Sequence, residues 1–249
     1  MDYVVAIPST ERYDTINKRT LRFLRKHKIP RERVYIFVPP NQVQKYKVTL
    51  YNYLGYNIVS AKDGLQAQRN FISEYFEENQ LILEMDDDVT IVKQMYQSKN
   101  GYNQLKNLEC LESLILDTYM LFLEKGLTCA GIYPVCNKVF MKNTTSTHLC
   151  HLIGSFRIFL NCKICESRMF HLLEDYEVSL KYFLKDKGLI RYNDIAIISE
   201  YMSPTYYERS LAEKKFEIMC FTEKYSDYCY TKKKPNNIID LQFKKKISF

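Results

Sequence analysis

The stretch Leu81-Ile-Leu-Glu-Met-Asp-Asp-Asp-Val-Thr90 limits the folds open to this chain more than any other. Leu81–Met85 reads as a buried strand, which sets Asp86, Asp87 and Asp88 at its C-terminal tip before apolar character resumes at Val89. Three adjacent carboxylates repel one another, so a fold holds them together only where a cation or a set of donors compensates. In open α/β sheets the C-terminal strand tips are where ligands bind. Hard carboxylate oxygens suit Mg2+ or Mn2+, and such ions commonly share their shell with substrate phosphates. A solvated acidic turn is the other reading, although it would normally be mixed with Gly, Asn or Ser.

The sequence before these aspartates alternates short apolar runs with helical patterns. Val4–Pro8 reads as a strand, broken by Pro8-Ser9-Thr10. A helix follows, capped at Asp14, with Leu21 and Leu24 inward, and ends before Pro30. Val34–Val38 is a second strand closed by Pro39-Pro40, and Gln42–Leu54 a helix stopping at Gly55. Ile58–Ser60 is a third strand, and Leu65–Phe76 a helix with Leu65, Ile72 and Phe76 on one face. This pattern predicts an α/β fold with a Rossmann-type, mostly parallel sheet and right-handed crossovers. Downstream, Leu105–Leu123 reads as a long helix with Leu108, Leu111, Ile115 and Phe122 in register. Mixed strands are expected at Thr128–Tyr133, Lys138–Met141, His151–Leu160 and Leu189–Ile198, with a helix at Glu174–Lys185. No linker or repeat divides the chain, so one domain is expected over residues 1–225, followed by a basic tail at 226–249.

With 46% hydrophobic and 26% charged residues and only 7 Gly and 7 Pro, disordered and fibrous classes drop out. No apolar run approaches the ~20 residues of a membrane span. The opening eight residues are too few for a signal peptide, so a cytoplasmic or nuclear protein is expected, in host cytoplasm if viral, or a soluble domain of something larger. The net charge of +7 is concentrated in Lys18–Arg33, Lys232–Lys234 and Lys244–Lys246. Nucleic acid or a phosphorylated ligand would suit those clusters; a solvated helix face and a basic tail explain them equally. The eight Cys lie mostly in apolar segments, as reduced core thiols do. Cys162 and Cys165 have zinc-type spacing, but only Cys150 and His151 are at hand to complete four ligands.

Several side chains are candidates for the aspartate end of the sheet. The planar fork of Arg69 can bridge a diphosphate or the aspartates, with Gln68 and Asn70 offering amides; a salt bridge on a solvated helix is the plainer reading. Pro8 and Ser9 end the first strand beside free N–H groups of the next helix, which suit an anion, or simply cap that helix. Glu174 and Asp175 open a helix, so capping competes with a chemical role. His148, His151 and His171 can each add a metal ligand, His171 foremost because it stands close to Glu174-Asp175; single histidines are more often structural. Arg191 is a candidate phosphate or acceptor contact.

Asp86-Asp87-Asp88 matches the DxD signature of GT-A glycosyltransferases. Around it stand Ala6–Ser9, Gly64–Ile72, Gly131–Val135, Asn137, Phe140-Met141, Leu173–Asp175 and Leu189–Asn193. Together these segments resemble the TET-associated glycosyltransferase family of viruses and of eukaryotes with modified DNA bases, related to the base J glucosyltransferases. The resemblance spans roughly residues 3–200. It implies a GT-A-like fold and metal-dependent transfer of a sugar from a nucleotide sugar, a UDP-sugar foremost, to a hydroxyl such as that of a hydroxymethylated DNA base. It implies further that Asp86 and Asp88 hold Mn2+ or Mg2+, with Asp86 also facing the ribose and Asp87 behind them. Asp175 would deprotonate the acceptor and Glu174 orient it. The lysine clusters and the Tyr-rich last third suit a DNA acceptor. Tyr201–Arg209 holds no glycine, unlike the Gly-rich loop the resemblance implies on the acceptor side.

Other readings are transfer to a protein or viral glycan, a sugar-nucleotidyl transferase, and a catalytically silent nucleic-acid-binding module. The glycine-free Pro8–Arg12 loop counts against the nucleotidyl transferase. The retained acidic clusters count against the silent module.

Overall fold

Strand β1 (Tyr3–Pro8) is buried along its whole length, as a β-branched run covered on both faces must be. In the computed structural model, which describes residues 2–97, 103–199, 211–233, 239–245 and 247, β1 lies between two parallel neighbours. These are β2 (Val34–Val38) and β4 (Leu81–Met85), with β3 (Asn57–Ser60) parallel outside β2. Helices α1 (Thr20–Lys26), α2 (Val43–Thr49) and α3 (Leu65–Tyr75) make the crossovers. The C-terminal tips of β1 and β4 therefore sit side by side, which brings Ser9 next to Asp86–Asp88.

Beyond β4 the chain turns back as β5 (Val89–Gln97), paired antiparallel with β6 (Asn103–Asn107). Helix α4 (Leu111–Lys125) leads into β7 (Cys129–Ile132). Then follow β8 (Thr145–Ser146), β9 (Phe156–Leu160), α5 (Lys163–Glu166), α6 (Glu174–Asp186), β10 (Ile190–Tyr192) and β11 (Ile195–Ser199). After α7 (Leu211–Lys224), β12 (Cys229–Lys233) and β13 (Ile239–Phe243) form a hairpin. The main sheet runs β3-β2-β1-β4-β9-β7-β10-β8, and a second sheet runs β11-β5-β6. Alternate β1 residues feed two cores. Val5 and Ile7 join Leu21, Leu24, Leu111, Ile115 and Phe122, while Val4 and Ala6 join Ile72, Leu180, Phe183, Ile218 and Phe221.

The sheet, the first four strands and α6 follow the sequence pattern; several boundaries do not. Asp14 caps no helix: Ile16–Lys18 is a 3-10 turn and α1 begins at Thr20. The Gln42–Leu54 helix stops at Thr49 and continues as a 3-10 turn, Tyr51–Tyr53. Leu105–Asn107 belongs to β6, and α4 starts only at Leu111, where the Cys110 sulfur accepts the Ser113 N–H. Lys138–Met141 is a turn with the Phe140 and Met141 N–H groups on the Asn137 carbonyl, 3.0 Å each, and no strand. Of His151–Leu160 only Phe156–Leu160 is extended. Leu189–Ile198 splits between sheets, because β10 pairs with β7 while β11 pairs with β5. The stretch read as a basic tail contains the hairpin, whose Cys229 and Leu241 are core residues. Lys232 and Lys233 stand on β12; Lys234, Lys246 and Tyr201–Arg209 lie outside the described residues. Among the described residues no helix is long and apolar enough to cross a membrane.

Candidate active site

The acidic turn is fixed by its backbone before its side chains act. Buried Thr20, at the start of α1, donates its hydroxyl to the Asp86 carbonyl (2.7 Å) and accepts the Val89 N–H (3.0 Å). The Asp86 N–H donates to the Ser155 carbonyl at 3.1 Å. With the backbone clamped on both sides, the three carboxylates go to different partners. Asp87 turns toward β1, where it accepts from Ser9 Oγ (2.5 Å) and Arg12 Nη1 (2.9 Å). Burial pushes its carboxyl up to about 6. Asp88 pairs with the same Arg12 Nη1 at 3.1 Å.

Asp86 turns the other way, to Arg69. That guanidinium projects from α3, is 3% exposed, and reaches Asp86 Oδ1 at 2.7 Å, Glu174 Oε1 at 2.5 Å and Asp175 Oδ1 at 3.4 Å. Its Nε stands 3.3 Å from Glu84. The strand that reads as an apolar run thus carries a fully buried Glu84, whose register partner on β9 is Arg157. Arg157 binds Glu84 (3.1 Å) and Glu166 (3.0 Å), and Arg168 binds Glu166 (2.6 Å) and approaches Glu174 (3.6 Å). Three arginines therefore serve five carboxylates, Glu84, Asp86, Glu166, Glu174 and Asp175. Negative charge is in excess, and Glu84 Oε2 and Glu174 Oε2 are buried without a hydrogen bond. Burial, reinforced by Asp175 and opposed by Arg69, pushes Glu174 up to about 7. Glu166 goes the other way: against burial, Arg157 and Arg168 hold it at about 2.

Asp175 has a different surrounding. Burial alone would raise its pKa, but Arg69, His151 and the Gly154 N–H outweigh burial and hold it below the ordinary value. Its side chain is 30% exposed, as is that of Asp86 at 29%, so both open to solvent from opposite arms of the buried Arg69. His151 Nε2 lies 3.9 Å from Asp175 Oδ2, and its ring stacks on Tyr176 at 4.2 Å.

The remaining candidates divide. Gln68 donates to Thr10 Oγ1 (3.1 Å) and the Ser9 carbonyl (3.4 Å), bracing the loop after Pro8. Asn70 is tied to the Arg168 backbone, accepting its N–H at 3.0 Å and donating to its carbonyl at 3.2 Å, and so positions the arginine network. Arg191 donates to Asn193 (2.9 Å) and to the His151 carbonyl (3.5 Å), beside the Asp175 end of the site. His171 is not gathered with Asp86 and Asp88. It is exposed, and Glu217 of α7 collects the N–H groups of His171, Leu172 and Leu173 at 2.8–3.1 Å ahead of α6. Among the described residues no three His, Cys, Asp or Glu side chains form a metal-binding group, whether at the aspartates or at Cys162 and Cys165. Arg12, Glu84, Arg157, Glu166 and Arg168 went unread in the sequence. The available signal was a charged residue inside an apolar strand, twice: Glu84 in β4 and Arg157 in β9.

Several solved structures are similar to this fold. S. aureus TarS 1-349 aligns with a TM-score of 0.51 and 16% identity, over 88% of this chain and 66% of that one. A further S. aureus TarS structure gives 0.53 and 17%, over 88% and 40%. This chain thus spans less than two thirds of either. Glucosyl-3-phosphoglycerate synthase from Mycobacterium tuberculosis, in complex with Mn2+, UDP-glucose and phosphoglyceric acid, gives 0.53 and 8%, over 92% and 83%. TarS 1-349 has also been solved in complex with UDP. No curated protein matches the chain by sequence. The TET-Associated Glycosyltransferase model matches residues 3–203, and the chain belongs to that family.

Proposed function

We propose that this chain moves a sugar from a nucleotide-sugar donor, a UDP-sugar foremost, to an acceptor hydroxyl, using Mn2+ or Mg2+. The observation that carries the reading is Arg69, which ties Asp86 at the β4 tip to Glu174 and Asp175 at the start of α6. The donor and acceptor ends of the reaction would then sit on two arms of one rigid, buried guanidinium.

The residues fit a divalent cation in an open site. Asp86 and Asp88 offer hard oxygens, and the surplus of carboxylates over arginines favours added positive charge. Two carboxylates make no closed cage, so phosphate oxygens of the donor would complete the shell. An ion held there would neutralise charge developing on the diphosphate as the glycosidic bond breaks. Ser9 and the loop braced by Gln68 would border the base, and Arg191 would reach phosphate or acceptor. Asp175, partly exposed and kept ionised by its neighbours, would take the acceptor proton. Its weak basicity suffices because the alcohol turns acidic only as the new bond forms. Glu174 would orient the acceptor, and Arg69 would fix both.

The acceptor in the sharper form of this reading is a hydroxymethylated base in DNA, which the family resemblance implies and the lysine clusters suit. The test is incubation of a UDP-sugar panel and Mn2+ with DNA containing 5-hydroxymethylpyrimidine, with unmodified DNA, and with a glycan. Transfer confined to hydroxymethylated DNA is expected. Transfer to the glycan alone would remove the DNA acceptor and leave the donor chemistry standing.

A further inference from the structure

Asp88 is claimed twice. It is one of the two carboxylates assigned to the divalent ion, and it is ion-paired with Arg12 at 3.1 Å. We propose that the two claims alternate. Arg12 is an exchange cation: its guanidinium and the divalent ion take turns on Asp88, and Arg12 leaves onto the diphosphate that arrives with the ion. The inference rests on the donor-site reading above and adds a residue to it.

Three features suit Arg12 to the exchange. Its backbone is pinned, with its N–H on Tyr46 OH (3.1 Å) and the preceding Glu11 N–H on Gln42 Oε1 (2.7 Å). Glu11 takes a left-handed φ of 57°, and that turn aims the next side chain back at the aspartates. The side chain itself is 38% exposed, so it can swing through water while its backbone stays. Its departure takes the partner of Asp87 Oδ1 but leaves Asp87 Oδ2 on Ser9 Oγ at 2.5 Å, and Asp86 keeps Arg69.

The charges set the order of events. An ion without a nucleotide meets two protein carboxylates that are both already ion-paired, Asp88 with Arg12 and Asp86 with Arg69, and competes poorly. An ion carrying a diphosphate brings further ligands and an anion for Arg12 to receive, since a guanidinium fork matches phosphate oxygens. Arg12 thus couples metal binding to donor binding.

The coupling is read by titrating Mn2+ alone, followed by the paramagnetic resonance of the free ion, and UDP with Mn2+ by calorimetry. Wild type, Arg12→Gln and Arg12→Lys are compared, with thermal melts for folding. Arg12→Gln is expected to bind Mn2+ alone about tenfold more tightly and UDP with Mn2+ about tenfold more weakly, the scale of one charge-assisted contact. Arg12→Lys should fall between, and it carries the test if the Gln variant melts early. A residue that merely braced the loop would move both affinities down. Both falling, or neither moving while wild type binds UDP with Mn2+, overturns the exchange alone. No binding by wild type in any combination overturns the donor-site reading and the exchange with it.

Discussion

Gly154 lies directly beneath Arg69. A Cβ built on residue 154 would collide with Arg69 Nη1 and Cζ and with Asp175 Oδ1. Bare backbone here lets the Gly154 N–H reach Asp175 while the guanidinium lies across it. Gly154→Ala should therefore spread the ion pair. A stability loss of about 1–3 kcal/mol is expected from overpacking. Turnover should fall by about a hundredfold from misplaced groups. Melts and steady-state rates on the same preparation check this, and normal turnover would show that the close packing of Arg69 on Asp175 is dispensable.

Replacing Arg69 should cost more than any other single change at the site. Arg69→Met strands Glu84, Asp86, Glu174 and Asp175 around one missing cation. Removing one partner of a buried pair costs about 3–5 kcal/mol. Urea denaturation measures it, and a loss under about 1 kcal/mol would mean that water already screens the cluster.

The pH dependence of stability should carry two opposite signatures. Glu174, raised to about 7 by burial, keeps in the folded state a proton that the unfolded chain releases near its ordinary 4.5. Its contribution is full below 4.5 and is lost as pH rises through about 7. Glu166, held at about 2 by its arginines, contributes above its ordinary 4.5 and loses that contribution as pH falls toward 2. Glu174→Gln should remove the first effect. Relative to wild type the variant should gain on the order of 2–3 kcal/mol between about pH 4.5 and pH 8. Denaturation at both pH values decides it, and an equal difference at each would assign the surplus proton elsewhere.

The first half of the main sheet was legible because β1 to β4 are short apolar runs punctuated by Pro8, Pro39-Pro40 and Gly55. Legibility failed where tertiary pairing overrode local pattern. Leu105 continues a helical apolar stripe, yet it pairs with Met95 across β5 and β6. Leu189–Ile198 looks continuous, but Asn193, whose N–H binds the Thr144 carbonyl, and Asp194 turn the chain from one sheet to the other. At the site the aspartates, Ser9, Arg69 and Glu174-Asp175 were readable as single signals. That Arg69 would join Asp86 to Glu174 and Asp175 was not, since residues 69, 86 and 174 meet only through the sheet. Arg12 gave no signal, standing between Glu11 and Asp14 ahead of the basic Lys18–Arg33 stretch.

Thr20 offers a test of the clamp that shapes the aspartates. Thr20→Val keeps the shape but removes the hydroxyl shared by the Asp86 carbonyl and the Val89 N–H. A buried N–H left unpaired costs about 1–3 kcal/mol. Stability should fall by that amount, and UDP affinity with Mn2+ should fall as well because the aspartate turn loosens. Loss of stability with donor affinity intact would show that the side-chain partners alone hold the turn.

The central claim is that Asp86 and Asp88 bind a divalent ion together with a nucleoside diphosphate. It is tested most directly by the melting temperature of wild type and Asp88→Asn with UDP, in Mn2+ and in chelator. A ligand at about one hundred times its dissociation constant stabilises a fold by about 2.7 kcal/mol. A clear upward shift is expected for wild type with UDP and Mn2+, little shift in chelator, and no difference between the two conditions for Asp88→Asn. An equal shift in chelator, or an Asp88→Asn variant that responds as wild type does, would contradict the metal-bridged donor site.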